Sequence, residues 1–216
     1  MSAERVIEVA RGELGYAESP PGSNNTKYGS TYGLQGQPWC MIFLWWCFRE
    51  AGESAAFYGG AKTASCGTLL RWYQAQGQTV PAEEVRPGDI VILNFHGTQD
   101  TEHCGLVEHV GFYTGKGLAV ITLEGNTTPG DEGSQYNGGC VASKKRWKSQ
   151  IVAVCRPQYA ADPPKPDYSG HWAEEAINWC IERGLMLGYE DGSFRPDQPV
   201  TRGELAAVLR RLEGEK

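Results

Sequence analysis

Pro38-Trp39-Cys40-Met41-Ile42-Phe43-Leu44-Trp45-Trp46-Cys47-Phe48 decides how this chain is read. A run so evenly apolar predicts a helix buried on all sides, with Cys40 in its first turn. A helix start leaves four backbone N–H groups without partners and carries the positive end of the dipole, so it favours thiolate over thiol. Cysteines so placed drop from about 8.5 to roughly 3.5–7.5, which makes a usable nucleophile. Cys47, seven residues on, shares the helix face and is read as core. The competing role for any such cysteine is that of a small core residue.

Two later segments supply partners for Cys40. Glu102-His103-Cys104-Gly105-Leu106-Val107 places a histidine on a strand, and Ile121-Thr122-Leu123-Glu124-Gly125-Asn126 ends the next strand with a carboxylate and an amide. Asn126, two residues past Glu124, is expected on the same strand face and could share its work. Cysteine, then histidine, then Glu/Asn is the order of a papain-like thiol hydrolase. His109 competes with His103, because both are expected on one strand face. A turn over 113–115 puts position 103 opposite 124–126 and favours His103.

At 216 residues the chain has room for one full domain and a small one. A net charge of −6 without a Lys/Arg stripe argues against nucleic acid as a partner. Lys144-Lys145-Arg146, with Lys148 beyond Trp147, is read as a solvated strand end. No apolar stretch reaches the ~20 residues of a membrane span. Met1 to Tyr16 mixes charged and apolar residues as an amphipathic helix capped by Ser2, not as a secretory leader, which predicts a protein made in the cytoplasm. Seven cysteines without a C-x-x-C pair suggest neither a zinc site nor a disulfide framework, and only Cys40 is expected to open a helix. Asp100 and Glu102 lack an Asp-x-Asp ladder, so no calcium is assigned, and no cofactor is expected.

Composition breaks once. Residues 156–167 hold four prolines and no periodicity, the mark of a semi-extended linker. Before it, helical patterns (about 2–14, 40–51 and 64–76) give way to strands at Asp89–Leu93, a hairpin over 103–126 and Ile151–Val154. Helices followed by an antiparallel sheet predict an α+β domain. After the linker, Trp172, Ala176, Ile177, Cys180 and Ile181 fall on one helical face. Thr201-Arg202-Gly203-Glu204 forms a capping box for a second helix with Leu205, Val208, Leu209 and Leu212 inward.

The segments Asn25-Thr26-Lys27-Tyr28-Gly29, Pro38-Trp39-Cys40, Arg86-Pro87-Gly88-Asp89-Ile90-Val91, Glu102-His103-Cys104-Gly105 and Glu124-Gly125-Asn126-Thr127 resemble, in order, those of a CHAP domain, the cysteine- and histidine-dependent amidase/peptidase family. Gly170-His171-Trp172-Ala173, Gly188-Tyr189-Glu190-Asp191-Gly192-Ser193-Phe194 and Pro199-Val200-Thr201-Arg202-Gly203-Glu204 resemble an S-layer homology (SLH) module. Such modules normally come in threes, and here there is one. The expected division is a CHAP domain over 1–157, a linker over 158–166 and an SLH module over 167–216.

The resemblance implies a peptidoglycan hydrolase, endolysin- or autolysin-like, that cuts an amide bond. Cys40 is then the nucleophile, His103 the general base and acid, and Glu124, with Asn126, the group orienting the imidazole. The Cys40 N–H, with Gln37 or Tyr28, would form the oxyanion hole. A secondary cell-wall polysaccharide is the partner implied for the SLH module, with Trp172 and Arg202 as candidate contacts and self-association as a trimer. Action at the bacterial cell wall after release by a phage holin-type route follows from the same reading. The alternatives are a catalytically silent wall-binding protein and a general papain-like peptidase.

Overall fold

The computed structural model describes residues 3–130, 134–161 and 165–214, and the chain divides into two compact units, Met1–Ala161 and Asp162–Lys216. Ser2, the expected cap, and Asp162, Pro163 and Pro164 of the linker lie outside the described residues.

The first unit carries helices α1 (Ala3–Gly12), α2 (Lys27–Tyr32), α3 (Cys40–Glu50) and α4 (Cys66–Ala75), then strands β1 (Thr79–Val80), β2 (Ile90–Leu93), β3 (His103–Tyr113), β4 (Gly117–Thr127), β5 (Cys140–Trp147) and β6 (Ile151–Cys155). The strands form one antiparallel sheet in the order β1-β6-β2-β3-β4-β5. The α+β expectation is met. Alternation along β2 feeds both faces of the sheet. Ile90 and Ile92 join the core shared with the helices, whereas Val91 and Leu93 join a second cluster with Val107, Leu118, Val120 and Val154.

Helix α3 is buried from Cys40 to Phe48 except for half-buried Trp46. Gly125 lets β4 lie directly against its first turn. A Cβ there would stand 2.6 Å from Phe43 Cβ and 2.8 Å from Trp39. Tyr159 stacks on Phe48 with ring centroids 5.7 Å apart, and the Ala160 N–H donates to Glu53 at 3.1 Å. The segment expected to be linker from 158 onward therefore stays on the first unit at these two residues.

The second unit holds α5 (Glu174–Glu182) and α6 (Arg202–Leu212). Thr201 and Glu204 form the expected capping box. Asp167 accepts from the Phe194 and Arg195 N–H groups, and Arg211 donates to the Leu185 carbonyl. The packing differs from the sequence expectation. Ile177 and Leu185 are buried, but Trp172 is 91% exposed, because it lies before α5 and not on it. Leu205, Leu209 and Leu212 are exposed as well. They lie on one face of α6 and are about half exposed.

Candidate active site

Cys40 is the first residue of α3, and the Trp39 side chain makes no cap bond, so the first N–H groups of the helix stay available. Cys66 is likewise the first residue of its helix, α4, although there the N-cap Ser65 side chain accepts from the Thr68 N–H. The expectation that Cys40 alone opens a helix is corrected here. Ser65 before Cys66 was the local signal. Cys104, on β3, completes a buried cluster in which the Sγ atoms of Cys40, Cys66 and Cys104 all lie within 4.8 Å of one another.

His103 is fully buried at the start of β3. Its Nε2 meets Glu124 Oε2 at 3.0 Å, and its Nδ1 has no hydrogen-bond partner among the described residues. Glu124, also fully buried, is heavily tied. Its Oε1 accepts from Thr122 Oγ1 at 2.6 Å and Arg146 Nε at 2.8 Å, and its Oε2 accepts from Arg146 Nη2 at 2.5 Å. Arg146 packs its guanidinium over Phe95, 4.7 Å from the ring centroid.

These contacts set the charges. Burial alone would raise the Glu124 carboxyl, but Arg146 and His103 outweigh it and bring it down to about 2. An ionised carboxylate only accepts, so Nε2 carries the proton of that bond. For His103, burial pulls down, yet the negative charges of Cys40 and Glu124 beside it lift it to about 9. Hydrogen bonds from Cys104 and Cys66 are the main reason the Cys40 thiol falls well below its ordinary value. His103 adds to them, and burial opposes all three. Cys104 is driven up by burial and by donating to Cys40. Cys66, despite a Cys104 hydrogen bond that favours its thiolate, is held up by Cys40 and burial. The arrangement holds one thiolate, two thiol donors and an imidazolium.

Two bulges decide which neighbours reach this site. Register shifts between Val107 and His109, so Val107 faces Thr122 whereas His109 faces Ile121. His109 is thereby turned to the opposite face from Val107 and is exposed, against the expectation that it shares a face with His103. A second shift lies between Glu124 and Thr127, with Asn126 at φ 59°. It breaks the alternation expected to align Asn126 with Glu124. The Asn126 amide instead donates to Asn137 Oδ1 at 3.1 Å, and its Oδ1 has no partner among the described residues. Glu102 is occupied with His96 and the Phe95 N–H.

Arg146 is the residue that sequence reasoning missed. The basic cluster read as a solvated strand end is β5, in which Lys144 and Arg146 are buried while Ser143 and Lys145 are exposed. Cations two residues apart on a strand share a face, and a buried carboxylate needs one. Trp172 and Arg202, in the second unit, are both exposed, and neither lines the cavity of about 220 Å³ beside Tyr189 and Arg211.

The family model of the CHAP domain matches residues 31–126, and that of the S-layer homology domain matches 166–206. The chain thus carries a CHAP domain followed by an SLH domain. The chain is 46% identical over 59 residues to outer membrane protein SlpA of Deinococcus radiodurans, covering 27% of this chain and 5% of that protein. It is 31% identical over 65 residues to an S-layer protein of Bacillus licheniformis, covering 30% and 7%. The chain therefore spans less than a tenth of the length of these relatives. The crystal structure of Ly7917 aligns with a TM-score of 0.42 and 17% identity, over 73% of this chain and 63% of that one. No described helix is long and apolar enough to cross a membrane.

Proposed function

We propose that residues 1–157 hydrolyse an amide bond in the peptide part of peptidoglycan and that residues 167–216 hold them to the wall. His103 is the observation that carries this reading. Its Nε2 is fixed on an ionised Glu124, and its unpartnered Nδ1 is left to exchange a proton at Cys40. Glu124, clamped by Arg146, keeps the ring oriented and stabilises the imidazolium without taking the proton itself.

The Cys40 thiolate adds to the amide carbonyl carbon, and the Cys40 N–H at the start of α3 supports the oxyanion. Tyr28 is not available as a second donor, because its buried hydroxyl donates to Glu13 at 2.6 Å. Exposed Gln37 is the remaining candidate. The imidazolium gives its Nδ1 proton to the leaving amine, and the C–N bond breaks to leave a thioester. Water then attacks the thioester as Nδ1 takes its proton, and the thiolate departs from a carboxylic acid product.

In the second unit, exposed Trp172 and Arg202 supply a stacking surface and a fork of donors suited to an acidic wall polysaccharide. The uncovered leucines of α6 support self-association of the chain, three copies each supplying one module.

Cys40→Ala should abolish clearing of purified cell walls while leaving the protein folded. His103→Ala should cost at least about 10²-fold, and His109→Ala should retain most activity. Clearing by Cys40→Ala at near wild-type rate would remove the mechanism. Mass spectrometry of the released fragments identifies the bond.

A further inference from the structure

The three-sulfur cluster holds more than a nucleophile needs. Cys40, Cys66 and Cys104 are all buried, with mutual Sγ separations inside 4.8 Å. Three thiolates around a tetrahedral zinc ion stand about 3.8 Å apart, given Zn–S bonds of about 2.3 Å, so the sulfurs need close by no more than about 1 Å. Two helix N-termini, those of α3 and α4, converge on the cluster and favour the negative charge that thiolate ligands bring. A fourth donor lies beside the cluster, outside the 4.8 Å that the three sulfurs share. His103 Nδ1 is fully buried and without a partner, its ring lies against Cys40, and Nε2 is anchored on Glu124. A carboxylate holding the far nitrogen of a histidine is the usual support for a metal-ligating imidazole, because it fixes the tautomer and raises basicity.

We propose that Cys40, Cys66, Cys104 and His103 Nδ1 form a site for a soft divalent cation of the zinc class, which caps the nucleophile and holds the first unit inactive. Three sulfurs and one imidazole select zinc over the hard cations calcium and magnesium. On binding, the S–H protons of Cys66 and Cys104 and the Nδ1 proton of the His103 imidazolium leave to solvent, four metal–ligand bonds form, and no electron is transferred. With all four positions filled by protein, no site remains for water or substrate, so the bound ion is inhibitory and not catalytic. Metal binding stands on the cluster alone; the inhibition rests on Cys40 being the nucleophile.

The test uses the full chain, freed of metal with a chelator and titrated with Co²⁺ and then Zn²⁺. One Co²⁺ per chain should produce the intense thiolate-to-cobalt charge-transfer band and the visible bands of a tetrahedral site, and Zn²⁺ should bleach both. Cys66→Ser and Cys104→Ser, checked for folding by circular dichroism, should each weaken binding at least tenfold. No cobalt band in a folded chain overturns the proposal, as does a band unchanged in both variants, which would place the metal elsewhere. In parallel, stoichiometric Zn²⁺ should stop wall clearing and the chelator restore it. Full clearing with zinc bound would overturn the capping. A cobalt band on a chain that, when freed of metal, never clears walls would leave the site standing and defeat the hydrolase reading instead.

Discussion

Helices α3 and α6 are each eleven residues long, and they treat their apolar residues in opposite ways. Eight residues of α3 are buried, whereas α6 has none and leaves Leu205, Leu209 and Leu212 about half exposed. Charge is divided in the same manner. The first unit buries Glu124 with Arg146, and the second leaves Asp191 with Arg195 in solvent. One unit encloses its ion pair and its apolar helix, and the other leaves both in solvent. A pattern of leucines therefore states that an apolar face exists but not which molecule covers it.

The two ion pairs separate the units most sharply. Arg146→Met removes the cation from a carboxylate that is fully buried, a loss of about 3–5 kcal/mol. Thermal unfolding should shift down by many degrees and wall clearing should disappear. Arg195→Met removes an exposed partner of Asp191 and should leave the melting temperature where it is. Equal responses from the two variants would mean that Arg146 is not the counter-charge that holds Glu124 ionised.

A smaller effect is expected from pH, read on chain freed of metal. In the proposed mechanism the reactive pair is thiolate with imidazolium. Cys40 lies well below its ordinary thiol value, so activity should already be present below that value and fall only where Cys40 takes up its proton. His103 is raised from 6.5 to about 9, so the imidazolium persists through neutrality and activity declines as pH rises through about 9. The two limbs belong to the coupled pair and not to either residue alone. A clearing rate that halves near pH 6.5 on its alkaline side would show that His103 is not held by Glu124 and Cys40.

What could be read from the sequence follows the range of each interaction. Cys40, His103 and Glu124 sit in short segments whose residue types announce their chemistry, and the structure brings His103 against both of the others. Arg146 reaches Glu124 from β5, twenty-two residues on, and only strand register turns it inward. The bulges after Val107 and Glu124 each insert a residue where strict alternation was assumed, which misplaced His109 and Asn126. Cys66 was missed for a different reason. Its helix was expected, but the meeting of two helix starts over Cys104 is a property of packing. In the second unit, the capping box at Thr201 and Glu204 is local and was legible, whereas the exposure of Trp172 depended on where α5 begins.

The smallest change in stability should carry the largest change in assembly. Among the described residues of the second unit only Ile177 and Leu185 are buried, and a unit of about fifty residues rarely supplies more than ~3–5 kcal/mol from its own core. Association of α6 faces would add apolar burial at about 25 cal/mol per Å² and complete that core. Three tethered copies would also raise avidity for a repeating polymer by about 10²–10⁴ over one. Leu209 is 53% exposed, so Leu209→Lys should alter the melting temperature of a single chain very little. It should, however, place a charge in the middle of the associating face and return the chain to a monomer in light scattering. Its retention on wall sacculi should drop with the loss of avidity, while clearing by the first unit at saturating protein is unaffected. A wild-type chain that is already monomeric at micromolar concentration would refute association. The leucines of α6 would then have to be covered by the polymer itself or by another protein of the wall.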